Sequence, residues 1–528
     1  MKIEYKKMIL LSLFFYPVYV SLTIGMSWDE IIHQNNGRNL IRYILSFGNL
    51  EYKSLGLPFH FGFYDAFSHF ITLAVPAKFN IFIHHLINLT FSISAIFGIT
   101  QLTKILFNKK ISKLVFILVF FNPIYFGHMS VNPKDTIIAF SLIWMCVLVL
   151  KYLKSQHIDY KRTRYTYLIA TTLFIGLGVR LTFIGTLLPI IFIIFYEIVF
   201  NKKNNSINVK FFLFDFFKVF LISYLVTVIF WPEMHKNILT PHVIIADYFD
   251  QLQQGNYGLY WGLLNGKLIN LSNTPFNYLF VNFFYKMPEF FIISLFFLPF
   301  ILLFDLKFYE KNLLNFKKNF YYLLLFILIP IIFFILLSIK VTVGIKFFLF
   351  LIPFLTILPA LVFYYLIEKK NIISKIFLVS LSILFIFYLT VFIKISPYQY
   401  TYINAFNGKF SNNITKFEND YWGLSLKHLI KTFDKEYDFK EGKKYKIAFC
   451  GVGLDSARYY LDKIVKLNYT EVHNHKKYDF IIMTNLINGD KYSLPANVQS
   501  CFKEFKGSNL FSVERMNLKL SVIRSRSY

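Results

Sequence analysis

Two carboxylates stand side by side just past an apolar run. The stretch YVSLTIGMSWDEIIHQ (19–34) closes the run Met8 to Met26 and within three positions presents Asp29 and Glu30. A carboxylate beside a second one, partly withdrawn from water, has a raised pKa and can take a proton from a hydroxyl. The same residue types also suit a metal-binding carboxylate. With Trp28 they suit an interfacial anchor with solvated acids.

Three further clusters carry charge where charge is costly. In FFNPIYFGHMSVNPKDTIIAF (120–140), His128, Asn132, Lys134 and Asp135 crowd a short gap between two apolar runs, with Pro123 and Pro133 placed to stop one helix and start the next. Asp135 also suits a helix-capping role. Arg180, in GLGVRLTFIG, sits between two runs with almost no loop. Lys340 and Lys346 flank the short gap in SIKVTVGIKFF. Arginine at a membrane rim is suited to a bidentate grip on a lipid-borne phosphate, and a lysine on the outer side runs against the usual charge bias. Carboxylates that accept a proton, facing basic groups that hold a phosphate, describe group transfer from an anionic lipid.

The elements that must position these groups are membrane helices. Of 528 residues, 56% are hydrophobic and only 16% charged, against about 25% charged in soluble domains. Repeated apolar runs of about eighteen residues or more indicate a polytopic membrane protein. The net charge of +27 would suit nucleic acid, but many of the lysines and arginines occupy short gaps between apolar runs. That is topology signalling and contact with anionic lipid, with no nucleic-acid partner.

The runs predict about eleven spans, near 8–26, 79–100, 112–127, 136–153, 166–180, 182–200, 211–230, 289–306, 319–339, 347–367 and 373–394. The N-terminal run is long for a signal peptide and lacks a cleavage site, so it reads as an uncleaved first helix. Lys2, Lys6 and Lys7 precede it, and every second gap is basic, as at Lys104 to Lys113, Lys151 to Arg164 and Lys307 to Lys318. These gaps are therefore cytoplasmic, and the N-terminus is inside. The four clusters, a first loop (27–78), a large loop (231–288) and everything after Ile395 then lie outside.

The domain expectation is a membrane module over 1–395 and an extracytoplasmic region over 396–528, with a small α/β domain from about 440. KYKIAFCGVG, YDFIIMTNL and LKLSVIRSR read as strands and LDSARYYLDKIVKL as a helix. Gly451-Val452-Gly453 lacks the third glycine of a dinucleotide fingerprint and reads as a tight strand-to-helix turn. HNH at His473–His475 reads as polar loop. Cys450 and Cys501 can pair if this region lies outside the cytosol, whereas Cys146 is inside an apolar run.

The WDE motif after the first span resembles the acidic motif of polytopic GT-C glycosyltransferases, in particular the family 39-like group with protein O-mannosyltransferases and lipid A aminoarabinose transferases. FGHMSVNPKDT (126–136), FWPEMHKN (230–237), SPYQYTYINAFNG (396–408) and FENDYWGLS (417–425) are similar to motifs of a bacterial subgroup of these proteins. The likeness covers residues about 20 to 430. VTVGIKFFLFLIPFL departs from it, with Ile345-Lys346 where the subgroup carries Arg-His. The resemblance implies an inverting sugar transfer from a polyprenyl-phosphate donor to a glycan, lipid or protein acceptor, with hexosyl or pentosyl specificity left open.

It further implies that Asp29 is the base and Glu30 shapes its pKa or holds acceptor. Lys134 and Arg180 contact the donor phosphate, Asp135 orients Lys134, and Lys346 keeps a charge in its segment. Tyr398, Tyr400 and Tyr402 stack on sugar rings or anchor at the interface. Glu418, Asp420 and Trp422 bind acceptor or form a turn. The setting would be a bacterial inner membrane. No cofactor is expected, since the donor is already a phosphate ester, and an acidic pair alone does not make a site for a divalent metal. A transporter or flippase of polyprenyl-linked glycans is the rival reading. It should show polar residues deep in the spans and internal repeats, and neither is evident. An inactive scaffold would have lost Asp29.

Overall fold

The computed structural model describes residues 2–53, 62–200, 207–236, 238, 240, 242–243, 245–247, 260–336, 344–474, 476–489 and 492–525, with side chains from residue 13 onward. Lys340 falls outside the described residues, as do His475 of the HNH stretch and part of the large loop over 231–288.

The apolar runs form α1 (Lys2–Thr23), α4 (Asn80–Leu106), α5 (Lys109–Phe120), α7 (Pro133–Ser155), α8 (Asp159–Leu177), α10 (Leu188–Val199) and α11 (Val209–Ile229). After the large loop come α13 (Glu289–Asn312), α14 (Phe316–Leu336), α15 (Leu351–Lys369) and α16 (Ile372–Lys394). Every predicted span therefore holds a helix, and among the described residues seven helices are long and apolar enough to cross a membrane. The protein is a multi-pass, α-helical membrane protein.

The remaining four segments are shorter or more polar than expected. The span expected over 112–127 is interrupted: Asn122 caps α6 (Pro123–His128) by accepting from the Tyr125 amide at 3.0 Å, and Pro123 opens that helix. Proline suits a first helical position because the missing N–H has no intrahelical partner there. The span expected over 182–200 is likewise divided into α9 (Phe183–Thr186) and α10, with Pro189 near the start of the latter.

α7 is buried almost all round and packs between α4 and α8, whereas α11 and α16 expose Phe214, Phe216, Phe217, Ile383 and Ile386. Helices apolar on every side belong inside a bundle or against lipid, and this chain has both.

The two long loops are themselves structured. The first contains α2 (Glu30–Leu45) and α3 (Phe63–Thr72), packed on each other. The second carries a hairpin, β1 (Trp261–Leu264) with β2 (Lys267–Asn270), then α12 (Tyr278–Lys286).

After Ile395 the chain runs through short turns into α17 (Leu426–Glu436) and a five-stranded sheet. The strands are β3 (Lys444–Cys450), β4 (Asn468–Glu471), β5 (Phe480–Thr484), β8 (Ser508–Arg515) and β9 (Leu518–Ser525), in the order β4-β3-β5-β9-β8. β3 runs parallel to β4 and β5, and β9 is antiparallel to β5 and β8. α17 packs on β8 and β9, so this unit reaches upstream of residue 440. The helix expected over 454–467 stops at Leu461, giving α18 (Leu454–Leu461), because the chain must turn back to enter the polar edge strand β4. Two short strands, β6 (Ile487–Asn488) and β7 (Gln499–Ser500), pair beside the sheet and lead into α19 (Cys501–Glu504). A disulfide joins Cys450 at the end of β3 to Cys501.

Candidate functional site

Six of the predicted residues, Asn132 among them, meet at one end of the bundle. Asn132 caps α7 by accepting from the Asp135 amide and donates its own amide to the Asp135 carboxylate at 2.9 Å. That reciprocal bond fixes Asp135 in the first turn, where a negative charge suits the helix dipole. Arg180, just past α8, donates to the other Asp135 oxygen at 3.0 Å. The Arg180 guanidinium also lies 5.0 Å from the Phe347 ring centre. Lys346 reaches over the Trp422 ring at 4.4 Å. Its ammonium is pushed below the ordinary lysine value by burial, with Asp29 and Asp135 opposing that shift and Arg180 and Lys134 adding to it. Asp29, Lys134, Asp135, Arg180 and Lys346 thus share one electrostatic neighbourhood. The structure couples Asp135 to Arg180, where the sequence suggested Lys134.

Asp29 occupies the N-cap position of α2 and is half-buried, while Glu30 is 1% exposed. Glu30 turns inward, accepting from the amide and hydroxyl of Ser27 at 3.1 Å each and meeting His85 Nε2 at 3.1 Å. The adjacent carboxylates therefore face different surroundings: Asp29 joins the basic cluster and Glu30 fastens the start of α2 to α4. His85 Nδ1 in turn lies 2.8 Å from the Ser21 carbonyl, which ties this node to α1.

The remaining predicted residues lie in the contacts that seat the C-terminal unit. His128 meets the Tyr421 hydroxyl at 2.8 Å. Tyr398, Tyr400 and Tyr402 are at most 2% exposed, with hydroxyls bonded to His428, Asp420 and Glu289. Rings enclosed this way do not stack on a sugar, so the expectation of sugar stacking does not match their placement. Asp420 accepts from the amides of Leu424 and Ser425 at 2.8 and 3.0 Å, which starts α17. Burial raises the Asp420 carboxyl above the usual range, and hydrogen bonds from Ser425, Tyr400 and Leu424 oppose this.

Glu418 accepts from the Ile487 amide at 3.0 Å and the Leu263 amide at 3.4 Å, joining the FEND stretch to both β6 and β1. Burial pushes Glu418 up to about 7, against those two amides and Lys286. Lys286, at the end of α12, is buried too and is lowered to about 8, with Glu418 opposing the shift. Among the described residues no set of three His, Cys, Asp or Glu side chains is arranged to hold a metal ion.

No family model matches the chain, and no curated protein sequence matches it. Among solved structures it is similar to ArnT from Cupriavidus metallidurans in the apo state, at 10% identity and a TM-score of 0.49, covering 99% of this chain and 98% of that one. It is also similar to the same enzyme bound to undecaprenyl phosphate, at 10% identity and a TM-score of 0.41, with 98% and 97% covered. The oligosaccharyltransferase AglB from Archaeoglobus fulgidus, in complex with an inhibitory peptide and a dolichol-phosphate, matches at 11% identity and a TM-score of 0.45, over 91% of this chain and 70% of that one.

Several residues of this region carry no obvious sequence signal. His33, one turn after Asp29, pairs with Asp65 of α3 at 2.6 Å, and both are buried. His84 lies 3.3 Å from the Tyr64 hydroxyl. The four-residue step from Asp29 to His33 places both on one face of α2, which is the one pattern that could have drawn attention to His33. Asp65 and Lys286 become visible only once α3 and α12 have been placed.

Proposed function

We propose that this protein is a membrane glycosyltransferase of the GT-C type that moves a sugar from a polyprenyl-phosphate donor to an acceptor hydroxyl on the extracytoplasmic face. The observation that carries the reading is a half-buried carboxylate, Asp29, set against Lys346, Arg180 and Lys134 at one end of a helical bundle.

In this reading Asp29 takes the proton from the acceptor hydroxyl as its oxygen bonds to the anomeric carbon. The bond from that carbon to the phosphate oxygen breaks on the opposite face, inverting the configuration. The charge developing on the leaving phosphate is met by Arg180, Lys346 and Lys134, and such preorganised charge is often the largest single contribution to a rate. Asp135 holds the Arg180 guanidinium in place, and the aromatic faces of Phe347 and Trp422 hold Arg180 and Lys346 while limiting their hydration. The polyprenyl phosphate leaves as an already stable anion, so this scheme calls on no cofactor.

The alternation of basic gaps supports a cytoplasmic N-terminus and an extracytoplasmic C-terminal unit in a bacterial inner membrane. The disulfide between Cys450 and Cys501 agrees with an oxidising location for that unit. The sugar is a hexosyl or pentosyl group, and the acceptor a glycan, lipid or protein.

The test uses purified full-length protein with a polyprenyl-phosphate sugar and measures release of free polyprenyl phosphate. Asp29→Asn should lower release by at least about 100-fold, the lower end for loss of a general base. Equal release from both proteins would remove Asp29 from the chemistry.

A further inference from the structure

Trp28 departs from the interfacial role its position suggests. The Cδ1–Nε1 edge of its indole is approached by two glycines from the region after Ile395. A Cβ added to Gly453 would lie 2.9 Å from Trp28 Cδ1, and one added to Gly423 would lie 3.1 Å from Nε1. The α18 side chains complete the seat: the Ser456 hydroxyl donates to the Ser27 carbonyl at 3.1 Å, and the Met26 amide donates to the Tyr460 hydroxyl at 2.9 Å. The motif bearing Asp29 is thereby fastened to the α/β domain on one side, while Asp29 itself belongs to the basic cluster on the other.

This seam leaves a cleft of about 190 Å³ lined by Trp28, Gly451, Val452, Leu486, Asn488 and Gly489, among others. It is smaller than the roughly 300 Å³ at which pockets for drug-sized molecules begin, so a single ring suits it better than a long chain. An indole wall, glycine-rich turns that bring backbone close, and a fixed amide make a mixed apolar and polar lining. Asn488 is fixed by its bond to Glu504 at 2.8 Å. The C–H face of a sugar ring packs on an aromatic face, while its hydroxyls need nearby polar groups. The path from the cleft runs through Trp28 and Gly423 to Trp422 and Lys346, and Lys346 in turn interacts electrostatically with Asp29.

We propose that this cleft is a saccharide subsite in which Trp28 carries the acceptor's terminal sugar ring, one residue away from Asp29. The word acceptor rests on the glycosyl-transfer reading, whereas saccharide binding at the cleft does not. The subsite selects a sugar-terminated acceptor over a bare protein or lipid hydroxyl.

The test is saturation-transfer NMR on the full-length protein in detergent, with neutral hexoses, pentoses and N-acetylhexosamines each at millimolar concentration. At least one class should receive saturation from wild type, with the effect lost in Trp28→Ala and reduced several-fold in Trp28→Phe and in Asn488→Leu. Trp28→Phe keeps an aromatic side chain against the glycines while shrinking the wall, so it reports even if Trp28→Ala does not fold. No transfer to any class, or undiminished transfer in folded variants, overturns the proposal. Donor turnover measured alongside separates the two ideas. Saccharide binding with Asp29-independent turnover leaves the subsite standing and removes the catalytic reading. Asp29-dependent turnover without saccharide binding does the reverse.

Discussion

The indole of Trp28 and the backbone of Gly453 are in such close contact that no side chain fits between them: a Cβ there would approach Cδ1 to 2.9 Å and Cγ to 3.0 Å. A residue of the first long loop and a turn of the C-terminal sheet, more than four hundred positions apart in the chain, therefore share one packed surface. Gly453 has an ordinary backbone conformation, with φ −69°, so the glycine is required by the neighbour and not by the turn.

Gly453→Val should push the turn off Trp28. Overpacking a filled contact costs about 1–3 kcal/mol, and here the displaced group adjoins Asp29. The expected outcome is a lower melting temperature together with reduced donor turnover. A melt and a turnover assay on the same preparation check both.

Arg180 is expected to resist conservative replacement. Its bond to Asp135 and its position on Phe347 both use the planar guanidinium, and a lysine offers a point charge without that shape. Arg180→Lys should raise the KM for donor at least about tenfold, the equivalent of roughly 1.4 kcal/mol. Asp135→Asn should shift it in the same direction through loss of the ion pair. Steady-state kinetics with varied donor read both effects.

Glu418 predicts a pH dependence of stability with a definite sign. Its carboxyl lies near 7 in the fold against an ordinary 4.5, because it is buried. A raised carboxyl binds more protons in the folded than in the unfolded state. Its contribution is therefore fully present below about 4.5 and is lost as pH rises through about 7. Lys286, lowered to about 8, destabilises the fold as pH falls from 10.5 toward that value. Melting temperature should fall between pH 5 and about 7.5 in wild type, and the fall should be smaller in Glu418→Gln. A Glu418→Gln slope equal to wild type would remove this carboxyl as the source.

The disulfide closes a loop with a sequence separation of 51 and anchors the turn beneath Trp28. A Cβ on Gly451 would lie 3.1 Å from Cys501 Sγ, and the φ of this glycine is +66°. Replacing both cysteines by serine should cost about 2–4 kcal/mol. A cysteine placed at the exposed Val465 (Val465→Cys) should be labelled by a membrane-impermeant thiol reagent applied to the outer face of intact cells, while the buried Cys146 and the buried, disulfide-bonded Cys450 and Cys501 stay unlabelled. Labelling only from the inner face would reverse the topology.

The apolar runs and the spacing of basic gaps were enough to establish a polytopic helical protein, because length and hydropathy are local properties and lipid imposes helices on any spanning segment. Pro133 likewise announced a helix start, since proline suits the first turn, whereas the break at Pro123 inside the span expected over 112–127 and the capping role of Asn132, where the sequence suggested Asp135, came only with the structure. Three strands of the C-terminal sheet were legible from short apolar runs such as Phe480–Thr484, although its two edge strands, Asn468–Glu471 and Ser508–Arg515, were not.

Tertiary structure alone decided which of two adjacent acids faces the basic cluster. One step along the start of a helix swings a side chain by about 100°, and only the position of α4 shows that Glu30 turns toward His85 while Asp29 does not. Partner choice over long separations was hidden for the same reason. Asp135 with Arg180, Glu418 with Lys286, and Trp28 with Gly453 are each set by how the helices and the C-terminal sheet come together. In the sequence, Trp28, Asp29 and Glu30 are three neighbours of one motif. In the fold they belong to three surroundings: a seam between domains, a cluster of opposite charge, and a buried node between helices.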